Sequence, residues 1–128
     1  GPSIWCLMTK KNVLIVEDDM NSREGLKSML RMYGYNADTS QDGLQAIKKI
    51  KEKLFEVAVI DINLPPVMNV EINGWDLIRI FRSFNPSIDI IVVSGEKGIH
   101  SRARHLAGCL EKPIRPAHLK SLMEALNE

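Results

Sequence analysis

The sequence predicts an α/β fold, a parallel sheet with helices on both faces, on three observations. Short runs of consecutive apolar residues, among them Val13-Leu14-Ile15-Val16 and Val57-Ala58-Val59-Ile60, lack polar alternation, the pattern of strands buried on both faces. Segments with apolar residues at helical spacing separate these runs. The connections between them are short, as in chains that alternate strand and helix.

Taken in order, Val13 to Val16 forms the first strand and ends in Glu17-Asp18-Asp19. A helix follows from about Ser22, with Asn21 and Glu24 spaced as a capping box and Leu26, Met29, Leu30 and Tyr33 on its inner face. Gly34 closes it, where a left-handed residue is needed. Tyr35 to Ser40 reads as a more polar edge strand, and Asp42-Gly43 leads into a helix that faces inward through Leu44, Ile47 and Ile50. The third strand runs to Asp61. Helical pattern resumes only near Gly74, with Leu77, Ile78 and Phe81 inside, and Asn85-Pro86-Ser87 is a turn. Ile88 to Val93 is the fourth strand, ending in Ser94-Gly95; a short helix spans about His100 to Leu106. A short fifth strand from Gly108 ends at Lys112-Pro113, and Pro116 opens a last helix, amphipathic through Leu119, Leu122, Met123 and Leu126.

Composition excludes several classes. The chain of 128 residues is one domain's worth, long enough to bury a core without metal or disulfide staples. A formal charge of +1 supplies no overall field for nucleic acid or membrane, so any partner meets a local patch. Cys6 and Cys109 form neither a metal spacing nor a disulfide framework, which fits a reducing cytoplasm. No segment is apolar over a bilayer's span. Gly1-Pro2-Ser3 reads as an expression scar and Met8 as a natural start, so residues 1–10 are expected to be a tag or extension and residues 11–128 the domain. The apolar run Ile4 to Met8 is either a frayed terminus or a small packing contact.

Glu17, Asp18, Asp61, Ser94 and Lys112 all fall at carboxyl ends of expected strands, which a parallel sheet brings to one edge, where open α/β sheets place ligands. An isolated strand-end Asp is ordinarily a solvated cap or turn former. Three carboxylates at one edge repel one another, and a hard divalent cation relieves them; Mg2+ fits because it takes oxygen ligands and keeps waters. A hydroxyl and an ammonium opposite suit a phosphoryl group, whose transition state spreads charge over three oxygens. Asp61 is then the nucleophile, forming an aspartyl phosphate.

On these residues the chain, from about Lys11 onward, resembles the receiver domain of two-component response regulators, with Glu17-Asp18 as the acidic pair, Asp61 as phosphoacceptor followed by Pro65, Ser94 as the hydroxyl residue, and Lys112-Pro113. The resemblance implies a flavodoxin-like sheet of order 2-1-3-4-5, a cis Lys112-Pro113 bond, and phosphotransfer from a histidine kinase or phosphotransfer protein. It also implies a Mg2+ ion bound by Asp18, Asp61 and the Asn63 carbonyl directly and by Glu17 through water. Beyond catalysing its own phosphorylation and dephosphorylation the domain is not expected to be an enzyme, and no nucleic acid or membrane is expected as partner. The chain is expected to be a single-domain regulator or a fragment of a longer regulator or hybrid kinase.

Three features depart from the family pattern. The segment Pro66 to Asn73 lengthens the loop after Pro65 by about five residues. The stretch from Ser94 to Lys112 is shorter by about one helical turn. Cys109, three before Lys112, replaces the usual aromatic that swings into space vacated by the hydroxyl residue. Signalling is therefore expected through the long loop, whose Val67, Met68, Val70 and Ile72 either meet a partner or pack on the third helix. Asn63 and Glu96 flank the approach of a hydrolytic water and, being polar, predict a short-lived phosphoryl state.

Other residues have plain readings. His100 and His105 are poorly spaced to share a helix face, His118 is exposed near a helix start, and Lys97, Arg102 and Arg104 make a solvated face. Trp75 either joins the core or supports the loop, the latter being preferred. Two rival functions remain. A haloacid-dehalogenase-like phosphatase needs a second Asp two residues after its nucleophile, where Asn63 stands and cannot act as an acid. A phosphorylation-independent pseudo-receiver, a binding module, would have lost one of Asp61, Lys112 or the acidic pair, and none is lost.

Overall fold

The computed structural model describes residues 11–127. The expected tag or extension over residues 1–10, with its apolar run, lies outside the described residues. Strands and helices alternate in the order β1 (Asn12–Val16), α1 (Met20–Met32), β2 (Asn36–Ser40), α2 (Gly43–Glu52), β3 (Val57–Asp61), α3 (Gly74–Phe84), β4 (Asp89–Ser94), α4 (His100–Ala103), β5 (Gly108–Glu111) and α5 (Pro116–Ala125). The five strands are parallel and ordered β2-β1-β3-β4-β5, the flavodoxin-like arrangement.

The unalternated strands are apolar on both sides because helices cover both sides. Val13 and Ile15, Val57 and Val59, Ile91 and Val93, and Leu110 pack with Leu26 and Leu30 of α1 and Leu119 and Met123 of α5. Their neighbours Leu14 and Val16, Ala58 and Ile60, Ile90 and Val92, and Cys109 pack with Ala46 and Ile50 of α2, Leu77, Ile78 and Phe81 of α3 and Ala103 of α4. The period-2 alternation of strand side chains divides the core into these two layers.

Helix boundaries follow local chemistry. Asp19, not the Asn21 and Glu24 pair expected from the sequence, caps α1: its carboxylate accepts the Ser22 backbone N–H, and the helix begins two residues earlier than expected. Gly34, at φ 97°, ends it as expected. In α2 the inner face is Gly43, Ala46 and Ile50, whereas Leu44 points outward at 36% exposure, a correction to the expected face. An Asn73–Asp76 capping box starts α3, and α4 is only four residues long, ending before the expected Leu106.

The long loop leaves and re-enters the sheet edge at one point. The Gly74 N–H donates to the Ile62 carbonyl at 3.0 Å, and a Cβ at position 74 would stand 2.7 Å from Ile62 Cα and 2.8 Å from the Asp61 carbonyl. Only glycine permits that approach. Between these ends Val67 and Val70 exchange two backbone hydrogen bonds across a tight turn with Met68 and Asn69 both at positive φ. Ile72 packs on the core below, while Met68, at 84% exposure, stands in solvent. Ile72 thus follows the packing reading, whereas Met68 and Val70 are left exposed.

Candidate functional site

Strand register assembles the site. Val16 pairs with Ile60, so the next residues, Glu17 and Asp61, lie level; Asp61 pairs with Val93 and Ser94 with Glu111, which places Ser94 and Lys112 at the same edge. Ladder hydrogen bonds continue past the strands, Glu17 N–H to the Ser40 carbonyl and Lys112 N–H to the Ser94 carbonyl, and these fix the two residues that follow β1 and β5. The Lys112-Pro113 peptide is cis, as expected.

Carboxylate oxygens of Glu17, Asp18 and Asp61 lie within 4.8 Å of one another. Glu17 and Asp61 are buried and Asp18 is exposed. The Lys112 ammonium stands 2.7 Å from Asp61 Oδ2 and 3.4 Å from Glu17 Oε1. The other Asp61 oxygen, Oδ1, accepts the Asn63 backbone N–H at 2.9 Å. Arg23, which no local signal in the sequence marked, reaches back from α1 to donate to the Glu17 and Asp18 carbonyls, bracing the acidic pair.

The electrostatics follow from burial and then from crowding. Burial, followed by the hydrogen bond and charge of Asp61, pushes the Glu17 carboxyl up from 4.5 to about 8. Partial burial opposes the Lys112 charge, but the hydrogen bond and charge of Asp61 and then Glu17 prevail and raise its pKa. The carboxylate oxygens of Glu17, Asp18 and Asp61, crowded together and in Glu17 buried enough to push the carboxyl pKa up, fit a hard divalent cation such as Mg2+.

Ser94 is fully buried at the end of β4, and its hydroxyl accepts the Glu96 backbone N–H at 3.0 Å. Glu96 and Asn63 line one groove of about 370 Å3 with Asp18, Trp75 and Arg102. Arg102 is exposed, as the solvated-face reading expects, and its guanidinium carbon lies 4.4 Å from the centre of the Trp75 ring, a contact outside that reading. His100 contacts Glu111 at 3.0 Å, also outside the sequence reading. Cys109 is buried, and burial followed by the Glu111 charge raises its thiol pKa, which agrees with a packing role.

A family model described as response regulator receiver domain matches residues 13–124. The transcriptional regulatory protein ZraR of Klebsiella oxytoca is 29% identical over 118 residues, 91% of this chain and 26% of that protein. The sensor protein EvgS of Escherichia coli (strain K12) is 29% identical over 126 residues, 95% of this chain and 10% of that protein. This chain therefore spans only a minor part of these relatives. Among solved structures, a CheY-like receiver domain from Methylobacillus flagellatus superimposes with a TM-score of 0.80 at 29% identity, covering 91% of this chain and 98% of that one. The response regulator TrrA of Thermotoga maritima, solved in complex with Mg(2+)-BeF, gives 0.78 at 26% identity with the same coverages.

Proposed function

Because the chain belongs to the response regulator receiver domain family, we propose that it accepts a phosphoryl group on Asp61 in a Mg2+-dependent reaction and changes partner binding as a result. The observation that supports this most is the Asp61 carboxylate itself, buried at the sheet edge, 2.7 Å from the Lys112 ammonium and within 4.8 Å of the Glu17 and Asp18 oxygens.

Asp18, Asp61 and the Asn63 carbonyl would hold Mg2+, with Glu17 reaching it through water. When bound, the ion offsets the repulsion between these carboxylates and the incoming phosphoryl oxygens. Asp61 attacks phosphorus in line, the bond to the leaving group breaks, and the leaving group departs with the electron pair. Lys112 turns from the Asp61 oxygen toward a phosphoryl oxygen as charge moves there. Ser94 offers its hydroxyl at the same edge once it releases the Glu96 N–H. A histidine kinase or a phosphotransfer protein supplies the phosphoryl group.

Intact-mass measurement after incubation with acetyl phosphate tests this reading. The parent protein gains one phosphoryl group with Mg2+ and none with chelator present; a gain that does not depend on Mg2+ would contradict the metal's role.

A further inference from the structure

Arg102 on α4 and Trp75 at the start of α3 stand far apart in the chain yet meet beside the phosphorylation site, where the guanidinium carbon lies 4.4 Å from the ring centre. Both line the groove whose other walls include Asp18, Asn63 and Glu96. Among the described residues no carboxylate stands within ion-pair distance of Arg102. A cation held on an aromatic face keeps its N–H donors around the rim for an acceptor. The groove otherwise presents the carboxylates of Asp18 and Glu96, which repel anions.

Resting on the phosphorylation reading, we propose that Arg102 is a binding residue for phosphodonors whose leaving group is anionic, with Trp75 as the residue that positions it. An acyl phosphate brings its charge in on the phosphoryl end and develops a second negative end, the leaving carboxylate, as the bond from phosphorus to the acyl oxygen breaks. Its phosphoryl end faces Asp61 and Lys112. Its acyl end extends into the groove, where the Arg102 guanidinium meets the carboxylate oxygens, as they form, in a planar, two-point arrangement that lysine cannot copy. As the Asp61 oxygen bonds to phosphorus, the bond between phosphorus and the acyl oxygen breaks. The electron pair remains on that oxygen, which leaves as a carboxylate next to Arg102, and no proton is required. A donor that leaves as a neutral amine gains less from the same cation.

Rate constants for phosphorylation by acetyl phosphate and by phosphoramidate, measured with Mg2+ by intact mass, separate these effects. Arg102→Ala and Arg102→Gln lower the ratio of the acetyl phosphate constant to the phosphoramidate constant roughly fivefold, the effect of one exposed ion pair. Arg102→Lys restores part of it, Trp75→Phe keeps most of it, and Trp75→Ala loses it. An unchanged ratio in both Arg102→Ala and Arg102→Gln overturns the inference and leaves the phosphorylation reading standing. A parent protein that takes up label from neither donor overturns both.

Discussion

Lys112 Nζ lies 2.7 Å from Asp61 Oδ2 and the Asn63 N–H holds Oδ1, so both oxygens of the candidate phosphoacceptor are fixed at the sheet edge. On the proposed phosphorylation, the lysine would serve two states, neutralising Asp61 before transfer and contacting phosphate after it.

Replacing Lys112 tests this double role. Lys112→Ala keeps the fold but slows phosphorylation by acetyl phosphate by roughly tenfold to a hundredfold, since a charged hydrogen bond is worth about 1.5–3 kcal/mol. Lys112→Arg recovers little, because a planar fork does not fit where a compact ammonium sits. Rates followed by intact mass, alongside circular dichroism to verify folding, check both outcomes.

Glu17 makes the metal-free protein sensitive to pH. Its carboxyl, raised to about 8 when folded against an ordinary 4.5, keeps a proton that the unfolded chain gives up. Native stability therefore declines as pH rises from about 4.5 to about 8. Urea midpoints measured with chelator should fall across that window, and Glu17→Gln should flatten the slope. Because the ion binds the deprotonated carboxylate, the midpoint gain from added Mg2+ should grow over the same range.

The loop after β3 is anchored by Ile72 over Gly43. A Cβ on Gly43 would stand 2.9 Å from Ile72 Cβ and Cγ2. Gly43→Ala should therefore destabilise by roughly 1–3 kcal/mol despite alanine's better helix propensity, and adding Ile72→Ala should recover part of the loss. With Cys109 in place of an aromatic ring, phosphorylation is expected to change hydrogen exchange over residues 67–73. Changes confined to α4 and β5 would defeat the idea that this loop carries the signal.

On the proposed phosphorylation, phosphoryl lifetime should depend on the groove. Asn63 and Glu96 are exposed polar groups along it. Replacing both with bulky apolar residues should lengthen the half-life of the phosphorylated protein, measured by decay of the mass adduct; an unchanged half-life would show that water reaches phosphorus by another route.

The sheet and the site were legible in the sequence for one physical reason. Strands buried on both faces read as unbroken apolar runs, and a parallel sheet must bring their carboxyl ends together, so Glu17, Asp18, Asp61, Ser94 and Lys112 could be placed at one edge. The family resemblance added the strand order and the cis Lys112-Pro113 bond, and both are present. Local choices among equivalent polar residues were not legible. Asp19 and Asn21 both satisfy a cap pattern, and the point where β1 releases the chain decides for Asp19. Leu44 looked like core by hydrophobicity, but Ala46 takes the inner position, where helix meets sheet closely. The turn at Met68-Asn69 carries no glycine signal, and its positive φ angles arise from the paired hydrogen bonds of Val67 and Val70. The contact of Arg102 with Trp75, distant in sequence, follows from how α4 docks, and Arg23 reaches the carbonyls of the acidic pair just before it because α1 turns back over the end of β1; neither is marked by a sequence pattern.

The central claim is that Asp61 carries the phosphoryl group. Borohydride reduction of the protein after treatment with acetyl phosphate and Mg2+, followed by peptide mapping, tests it most directly. Reduction of an aspartyl phosphate converts that residue to homoserine. The account predicts homoserine at position 61 in the parent and none in Asp61→Asn; homoserine at another carboxylate, or a phosphoryl adduct that persists in Asp61→Asn, would contradict it.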